Sequence, residues 1–304
     1  MNTQISALSC IEDYLDSLIA LGSTYYPNGH SALSKDFLRW FYCSNPCGPA
    51  TLIVAHEGEL WIGLIALIPF ELEYQGRSQK ACFAVNVLTH PDHRTKNLFV
   101  KMIGCARQTL SDRNIWLVGH PNSNAIPGWK RQKMSFKRPL DLFVAKFNVN
   151  LPLKKISRID TIHQLKRLPT DFWSSLTKRQ DIHVKYTPEF LAWRFLDAPH
   201  RKYQINAIEL NSRLLGLRVT RRFKGPVDLM VDCIAPSSDL SAVLSSVRWP
   251  TLFMHAAADD SIFEVKKGAW NLPVKRSFPF FVTTWNDVLL GEDVSGISLT
   301  ASDF

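Results

Sequence analysis

Arg94 and Lys96 stand two residues apart in the polar stretch His90-Pro91-Asp92-His93-Arg94-Thr95-Lys96-Asn97. An apolar run, Ala84 to Thr89, precedes it. An amphipathic run with Leu98, Met102, Ile103, Ala106 and Leu110 on one face follows it. Strand, loop and helix in that order bring free backbone N–H groups and the positive end of a helix to one spot. With two cations beside it, such a spot suits a phosphate or pyrophosphate. Taken alone, the cations would read as a solvated turn; the flanking strand and helix favour the anion site.

Further groups could do chemistry near this spot. His120 follows the apolar strand Ile115-Val118, and a neutral imidazole there can take a proton near neutral pH. A lone strand-end histidine also reads as structural or solvated. Asn86 cannot act as a base but can orient a water. Asp232, in an apolar run late in the chain, is a further carboxylate that could face a cleft.

The elements that must position these groups follow from periodicity and turn residues. Helices are expected at 9–21, 34–43 and 97–112, with a short one near 125–132. Strands are expected at Thr51–His56, Leu60–Pro69, Cys82–Thr89, Ile115–Val118 and Leu140–Asn148, with a turn at Glu57-Gly58. Later come a helix at 187–196 and strands at 203–210, 213–221 and 227–235. A helix at 238–247, a strand at 251–256, a helix at 259–267 and a strand at 278–285 follow. The fold class is α/β, of the α+β kind, with mixed, mostly antiparallel sheets flanked by helices. The polar tail, 291–304, reads as mobile.

Two halves resemble each other. Ser34-Lys35-Asp36-Phe37-Leu38-Arg39-Trp40 matches Thr187-Pro188-Glu189-Phe190-Leu191-Ala192-Trp193, each with an N-cap and an acidic first turn. At the same offset, Pro46 falls on Pro199, Gly63 on Gly216 and Leu64 on Leu217. A boundary is expected in Asn150-Leu151-Pro152, giving residues 1–150 and 151–304. The second half's counterpart of the cationic loop, Ala235 to Leu240, has no arginine, lysine or glycine to receive phosphates. That half reads as a degenerate copy that shapes an acceptor site.

The chain has 304 residues, 46% of them hydrophobic and 21% charged, as in soluble globular proteins. The longest apolar run, Leu60 to Phe70, includes Gly63 and Pro69 and is too short to span a bilayer. Glu12, Asp13 and Asp16 do not fit a signal peptide. Six scattered cysteines without zinc spacing suggest free thiols in a cytoplasmic protein and no metal. The net charge of +9 suits an anionic ligand, but no DNA-binding motif accompanies it.

The segment from Ala84 to Leu110 resembles the acyl-CoA-binding motif of the GNAT acyltransferase family over about residues 1–150. That motif is a strand, a proline, an arginine, and two small residues opening a helix. Pro91 and Arg94 fill the first positions; Asn97 and Phe99 replace the small residues. Asparagine accepts the left-handed backbone that the first needs. Phe99 either crowds a phosphate or turns into the core. The resemblance implies acetyl-CoA or another acyl-CoA as co-substrate. Backbone groups of Asn86, Val87, Leu88 and Thr89 would polarise the thioester and hold the pantetheine arm. Arg94, Thr95, Lys96, Asn97, Leu98 and Phe99 would wrap the pyrophosphate. His120-Pro121-Asn122-Ser123-Asn124 resembles a second landmark, where Asn122 and Asn124 bond pantetheine or cap a helix. The family's frequent acid, a tyrosine, is replaced by Arg131. Another group then gives the proton, the thiolate leaves unassisted, or the enzyme is impaired.

The implied activity is N-acylation of a primary amine, with His120 and Asn86 as the candidate catalytic residues. Trp40, Tyr42, Asn45 and Pro46 are similar to the start of bacterial members that acylate amino sugars, including nucleotide-linked ones, for surface polysaccharides. A FemAB-like aminoacyl transferase and a non-catalytic acyl-CoA-binding protein are the alternatives. Acceptor, acyl length and oligomeric state are not fixed by the sequence.

Overall fold

A computed structural model describes residues 2–9, 11–74, 76–137, 141–145, 155–178, 182–246, 251–255, 269–271 and 279–285. The expected helix at 259–267 and the tail lie outside these. The chain begins with β1 (Gln4–Leu8), α1 (Leu15–Gly22), α2 (Lys35–Cys43), β2 (Thr51–Glu57), β3 (Leu60–Tyr74) and β4 (Arg77–Thr89). α3 (Leu98–Ser111), β5 (Trp116–Gly119), α4 (Ile126–Arg131) and β6 (Asp141–Ala145) follow. Then come β7 (Lys155–Ile159), α5 (Ile162–Lys166), α6 (Thr170–Leu176), β8 (His183–Val184) and α7 (Pro188–Leu191), which runs into a π-turn at Ala192–Leu196. The last described elements are β9 (Gln204–Leu210), β10 (Arg213–Lys224), β11 (Val227–Ile234), α8 (Leu240–Leu244), β12 (Thr251–His255), β13 (Ala269–Asn271) and β14 (Phe281–Thr283). The mixed α/β class is as expected; β1, β7, β8, β13, α5 and α6 are additions to the sequence reading.

Two sheets carry the fold. One runs β1-β2-β3-β4-β5-β14, with β8 also paired to β3; the other runs β13-β6-β12-β11-β10-β9-β7. Their connectivity is alike. Each has a four-stranded antiparallel run, then one parallel pair (β4–β5 and β11–β12), then an antiparallel strand beyond it. The antiparallel partners of β5 and β12 come from unexpected places. β6 does not close the first sheet; it pairs with β12, with Val144 opposite Leu252. β14 does not stay in the second sheet; it pairs with β5, with Phe281 opposite Gly119. Alternation along a strand fixes which face is apolar but not which sheet accepts it.

β3 forms the centre of the first sheet, its residues Trp61 to Ile68 buried on both faces. Such a run is apolar throughout because α3 covers one side, and α1, α2 and the second half cover the other. The main core is continuous through both halves, from Leu15 and Phe41 to Phe190 and Leu217.

The two similar segments around Trp40 and Trp193 meet in the core. Ser34 and Thr187 cap α2 and α7 through the backbone N–H groups of Phe37 and Phe190. Trp40 and Trp193 then stack, with ring centroids 5.6 Å apart. Each indole donates to the other's backbone carbonyl, at 2.7 Å from Trp40 Nε1 and 2.9 Å from Trp193 Nε1. Gly63 and Gly216 also play matching roles. A Cβ on Gly63 would meet the Met102 sulfur of α3 at 2.8 Å, and one on Gly216 would meet Val243 of α8 at 2.9 Å. Each glycine lets a helix lie close on its sheet.

Trp40→Phe and Trp193→Phe should each cost about 1–3 kcal/mol, because each leaves a buried carbonyl without its donor. The two losses should not add, since the residues form one contact. Denaturant unfolding of the two single variants and the double variant checks this; additive, near-zero effects would contradict it.

Candidate functional site

β4 and β5 pair only from Ala81 opposite Trp116 to Ala84 opposite Gly119. Local features on both strands account for the stop. On β4 the register against β3 slips between Leu64↔Leu88 and Ala66↔Val85, so three steps on β4 face two on β3. That is a β-bulge, and Asn86 within it has φ 47°. On β5, Gly119 and His120 lead into Pro121, which has no N–H with which to continue a ladder. Beyond this point the strands part. A cleft of about 390 Å³ opens there, lined by Val85 to Leu88, His120, Asn122, Tyr25 and Tyr26, with Trp129 and Phe281 in its wall.

The bulge is pinned by phenols. Asn86 Nδ2 donates to the Tyr42 hydroxyl at 2.7 Å, and the Tyr26 hydroxyl lies 3.5 Å from Asn86 Oδ1. Burial raises the pKa of Tyr42; burial and then neighbouring Tyr25 raise that of Tyr26. Both phenols therefore stay protonated near neutral pH. The Asn86 side chain is engaged in holding the bulge.

At the mouth of the cleft the cationic loop forms a 3₁₀ turn over Pro91–Lys96, begun by His90 Nδ1 accepting from Asp92 N at 3.3 Å. Asn97 follows with φ 51° and ψ 25°, the left-handed step expected of it, and delivers the chain into α3. The first helical bond of α3 runs from Lys101 N to Asn97 O. The amides of Leu98, Phe99 and Val100 are thus the leading donors of the helix. Phe99 does not crowd them. Its ring turns inward, edge-on to Trp129 at 5.7 Å, over Gly128, where a Cβ would stand 2.4 Å away. Arg94 is exposed; the side chains of Thr95 and Lys96 lie outside the described set.

Tyr25 links this loop to β4. Its hydroxyl donates to the Thr89 carbonyl and accepts from Thr89 N at 3.1 Å. Arg94 Nη2 donates to the same hydroxyl at 3.4 Å, with the guanidinium 5.7 Å from the ring centre. Tyr25 and Tyr26 went unread in the sequence. The only signal was an aromatic pair set in the polar turn before Pro27-Asn28-Gly29.

His120 stacks on Phe280, with centroids 5.7 Å apart, and its Nε2 is buried with no hydrogen-bond partner. Burial pushes its pKa down to about 4, so the imidazole is neutral around pH 7. Asn122 Oδ1 accepts from Ala125 N at 3.0 Å in the turn that leads into α4. Asn124 is exposed on that turn, and Arg131 is exposed at the end of α4. Asp232 does not line the cleft. It is buried in the second sheet, accepting from the Tyr186 hydroxyl at 2.7 Å and from Cys233 N at 2.8 Å. The second half's counterpart loop is a short 3₁₀ turn, Ser237–Asp239. There Arg213 donates to both carboxylate oxygens of Asp239, at 2.8 and 2.7 Å. A carboxylate therefore stands in the loop that corresponds to the one carrying Arg94. Among the described residues no cluster of three His, Cys, Asp or Glu could hold a metal. No described helix is long and apolar enough to cross a membrane.

Residues 12–125 match the family model described as an acetyltransferase (GNAT) domain. Solved structures share the fold over most of the chain. A probable N-acyltransferase from Enterococcus faecalis is 10% identical, covering 92% of this chain and 72% of that one, with a TM-score of 0.66. A GCN5-related N-acetyltransferase from Anabaena variabilis is 10% identical over 93% of this chain and 73% of that one, with a TM-score of 0.65. The N-myristoyltransferase of Saccharomyces cerevisiae, with bound myristoyl-CoA, is 11% identical over 93% and 83%, with a TM-score of 0.53. At these identities the likeness is one of fold. No curated protein matches the sequence.

The neutral state of His120 has a stability consequence. The folded pKa of about 4 lies below the unfolded value of about 6.5, so the unfolded chain binds the proton more readily. Stability should be full above pH about 6.5 and fall toward pH 4, by up to about 3 kcal/mol from this group. His120→Asn should flatten that acid limb in unfolding curves taken from pH 7 to pH 4. An unchanged limb would remove His120 from the account.

Proposed function

We propose that this chain, whose residues 12–125 match the model of an acetyltransferase (GNAT) domain, moves an acyl group from acyl-CoA to a primary amine by direct attack on the thioester. The observation that carries this reading is the parting of β4 and β5 beside the N-terminus of α3 and Arg94. A thioester arm laid along the open edge of Val85 to Thr89 would meet backbone groups that no strand occupies. Its pyrophosphate would reach the leading amides of α3, through Asn97 to Phe99, with charge from Arg94, Thr95 and Lys96 alongside. The fold shared with a myristoyl-CoA-bound transferase supports an acyl-CoA donor.

In this reading the residues divide as follows. The bulge at Asn86 aims the backbone of Val87 and Leu88 at the thioester carbonyl, and preorganised donors there stabilise the oxyanion. The free Nε2 of His120 accepts a hydrogen bond from the neutral amine as it attacks. With a pKa of about 4, His120 orients the nucleophile and holds its proton only in passing. The C–N bond forms, the C–S bond breaks, and the thiolate leaves toward the cationic mouth. The proton that the amine sheds passes by way of His120 to the thiolate, which leaves as the thiol of CoA; the phenols of Tyr25 and Tyr26 line the cleft there. Tyr25 must give up its hold on Thr89 as the donor enters. The second half, whose loop carries Asp239, binds no second donor and shapes the acceptor side. Amino sugars of surface polysaccharide pathways are the first acceptor class to test, on the strength of the Trp40 to Pro46 resemblance.

Calorimetry with acetyl-CoA tests the donor half of this account. Wild type should bind, and Arg94→Ala should weaken binding about tenfold through loss of a charge-assisted contact. Failure to bind acetyl-CoA or longer acyl-CoAs, or an unaffected variant, would overturn it. A second assay follows release of the CoA thiol with glucosamine as acceptor. His120→Asn should lower kcat there while leaving acetyl-CoA affinity within about twofold.

A further inference from the structure

The β10–β11 hairpin ends in Arg221-Arg222-Phe223-Lys224-Gly225-Pro226, far along the chain from the cleft and on the other sheet. Phe223 is 45% exposed. The Arg221 guanidinium and the Lys224 ammonium each lie 5.8 Å from its ring centre. Arg222 ties the turn together: it pairs with Asp228 at 3.2 Å and donates to the Pro226 carbonyl at 2.9 Å. Gly225 closes the turn at φ 54°. Because β9 begins with Gln204 opposite Thr220, Arg201 and Lys202 enter at the same end of the sheet. One exposed aromatic ring therefore sits at a braced hairpin tip with two cations against it, and Arg222, Arg201 and Lys202 lie at the same end of the sheet.

Phe223 takes no part in the hydrophobic clusters of the core. A single exposed apolar ring is ordinary in itself; what sets this one apart is the cations held against it. An exposed hairpin tip with one ring and cations against it matches an anionic bilayer surface. The ring enters the interfacial layer, and the long cationic side chains spread to the headgroup phosphates. A single-stranded nucleic acid asks for a groove with several stacking rings, and this tip offers one ring on a protrusion. We propose that the β10–β11 hairpin tip docks the protein on anionic lipid surfaces. This inference is independent of the acyltransferase reading.

The full chain is sedimented with phosphatidylcholine vesicles and with vesicles that also contain phosphatidylglycerol. Wild type should pellet with the anionic vesicles only, and added salt should release it. Phe223→Ser, and separately Arg221→Glu with Lys224→Glu, should each lower the partition coefficient at least roughly tenfold. Both sets of changes are at the surface, so circular dichroism and the unfolding midpoint should match wild type. Absence of binding to anionic vesicles would overturn the proposal, as would binding that neither variant weakens. Capture of a single-stranded RNA oligonucleotide that depends on the charges but not on Phe223, without vesicle binding, would also overturn it.

Discussion

Everything at the candidate site depends on the place where β4 and β5 stop pairing. A parallel pair that ran its full length would leave no edge to offer a ligand. Here β4 is bent by a bulge whose key residue, Asn86, takes a left-handed backbone. β5 is ended by Gly119, His120 and Pro121. The first half supplies the buried Tyr42 that holds Asn86 in place, so the distortion rests on the core beneath it. Distortions of this kind cost free energy and persist where the surrounding structure over-determines them.

The cleft is also a product of the exchange between halves. Its wall includes Phe281, on a strand that arrives from near the end of the chain, and its histidine stacks on Phe280. Gly119 is bare because the Phe281 ring lies over it, at 2.5 Å from where a Cβ would be. β6 makes the opposite crossing into the second sheet. Together with the reciprocal indole bonds of Trp40 and Trp193, these crossings make each half a structural part of the other. The later part of the chain therefore contributes to the cleft through Phe280 and Phe281.

The sequence disclosed what is local and hid what is not. Asn97 could be read as a left-handed link because few other residues take that backbone. Pro91, the α3 face and the capped starts of the helices that carry Trp40 and Trp193 were likewise visible. The crossings of β6 and β14 were not, because an apolar strand carries no label for its sheet. The burial of His120 comes from a ring 160 positions away, and the pinning of Asn86 from Tyr26 and Tyr42, 60 and 44 positions away. Asp232 misled for the complementary reason. It sits on the matching strand of the second half, but a tyrosine of its own half takes its carboxylate.

Amide hydrogen exchange of the full chain, with and without acetyl-CoA, tests the central claim most directly. The open edge of Val85 to Thr89 and the leading amides of α3, Leu98 to Val100, should gain protection on binding. Amides in the already paired stretch Ala81 to Ala84 should not change. Binding that protects other segments and leaves 85–89 and 98–100 unchanged would contradict the claim that the parting of β4 and β5 is the donor site.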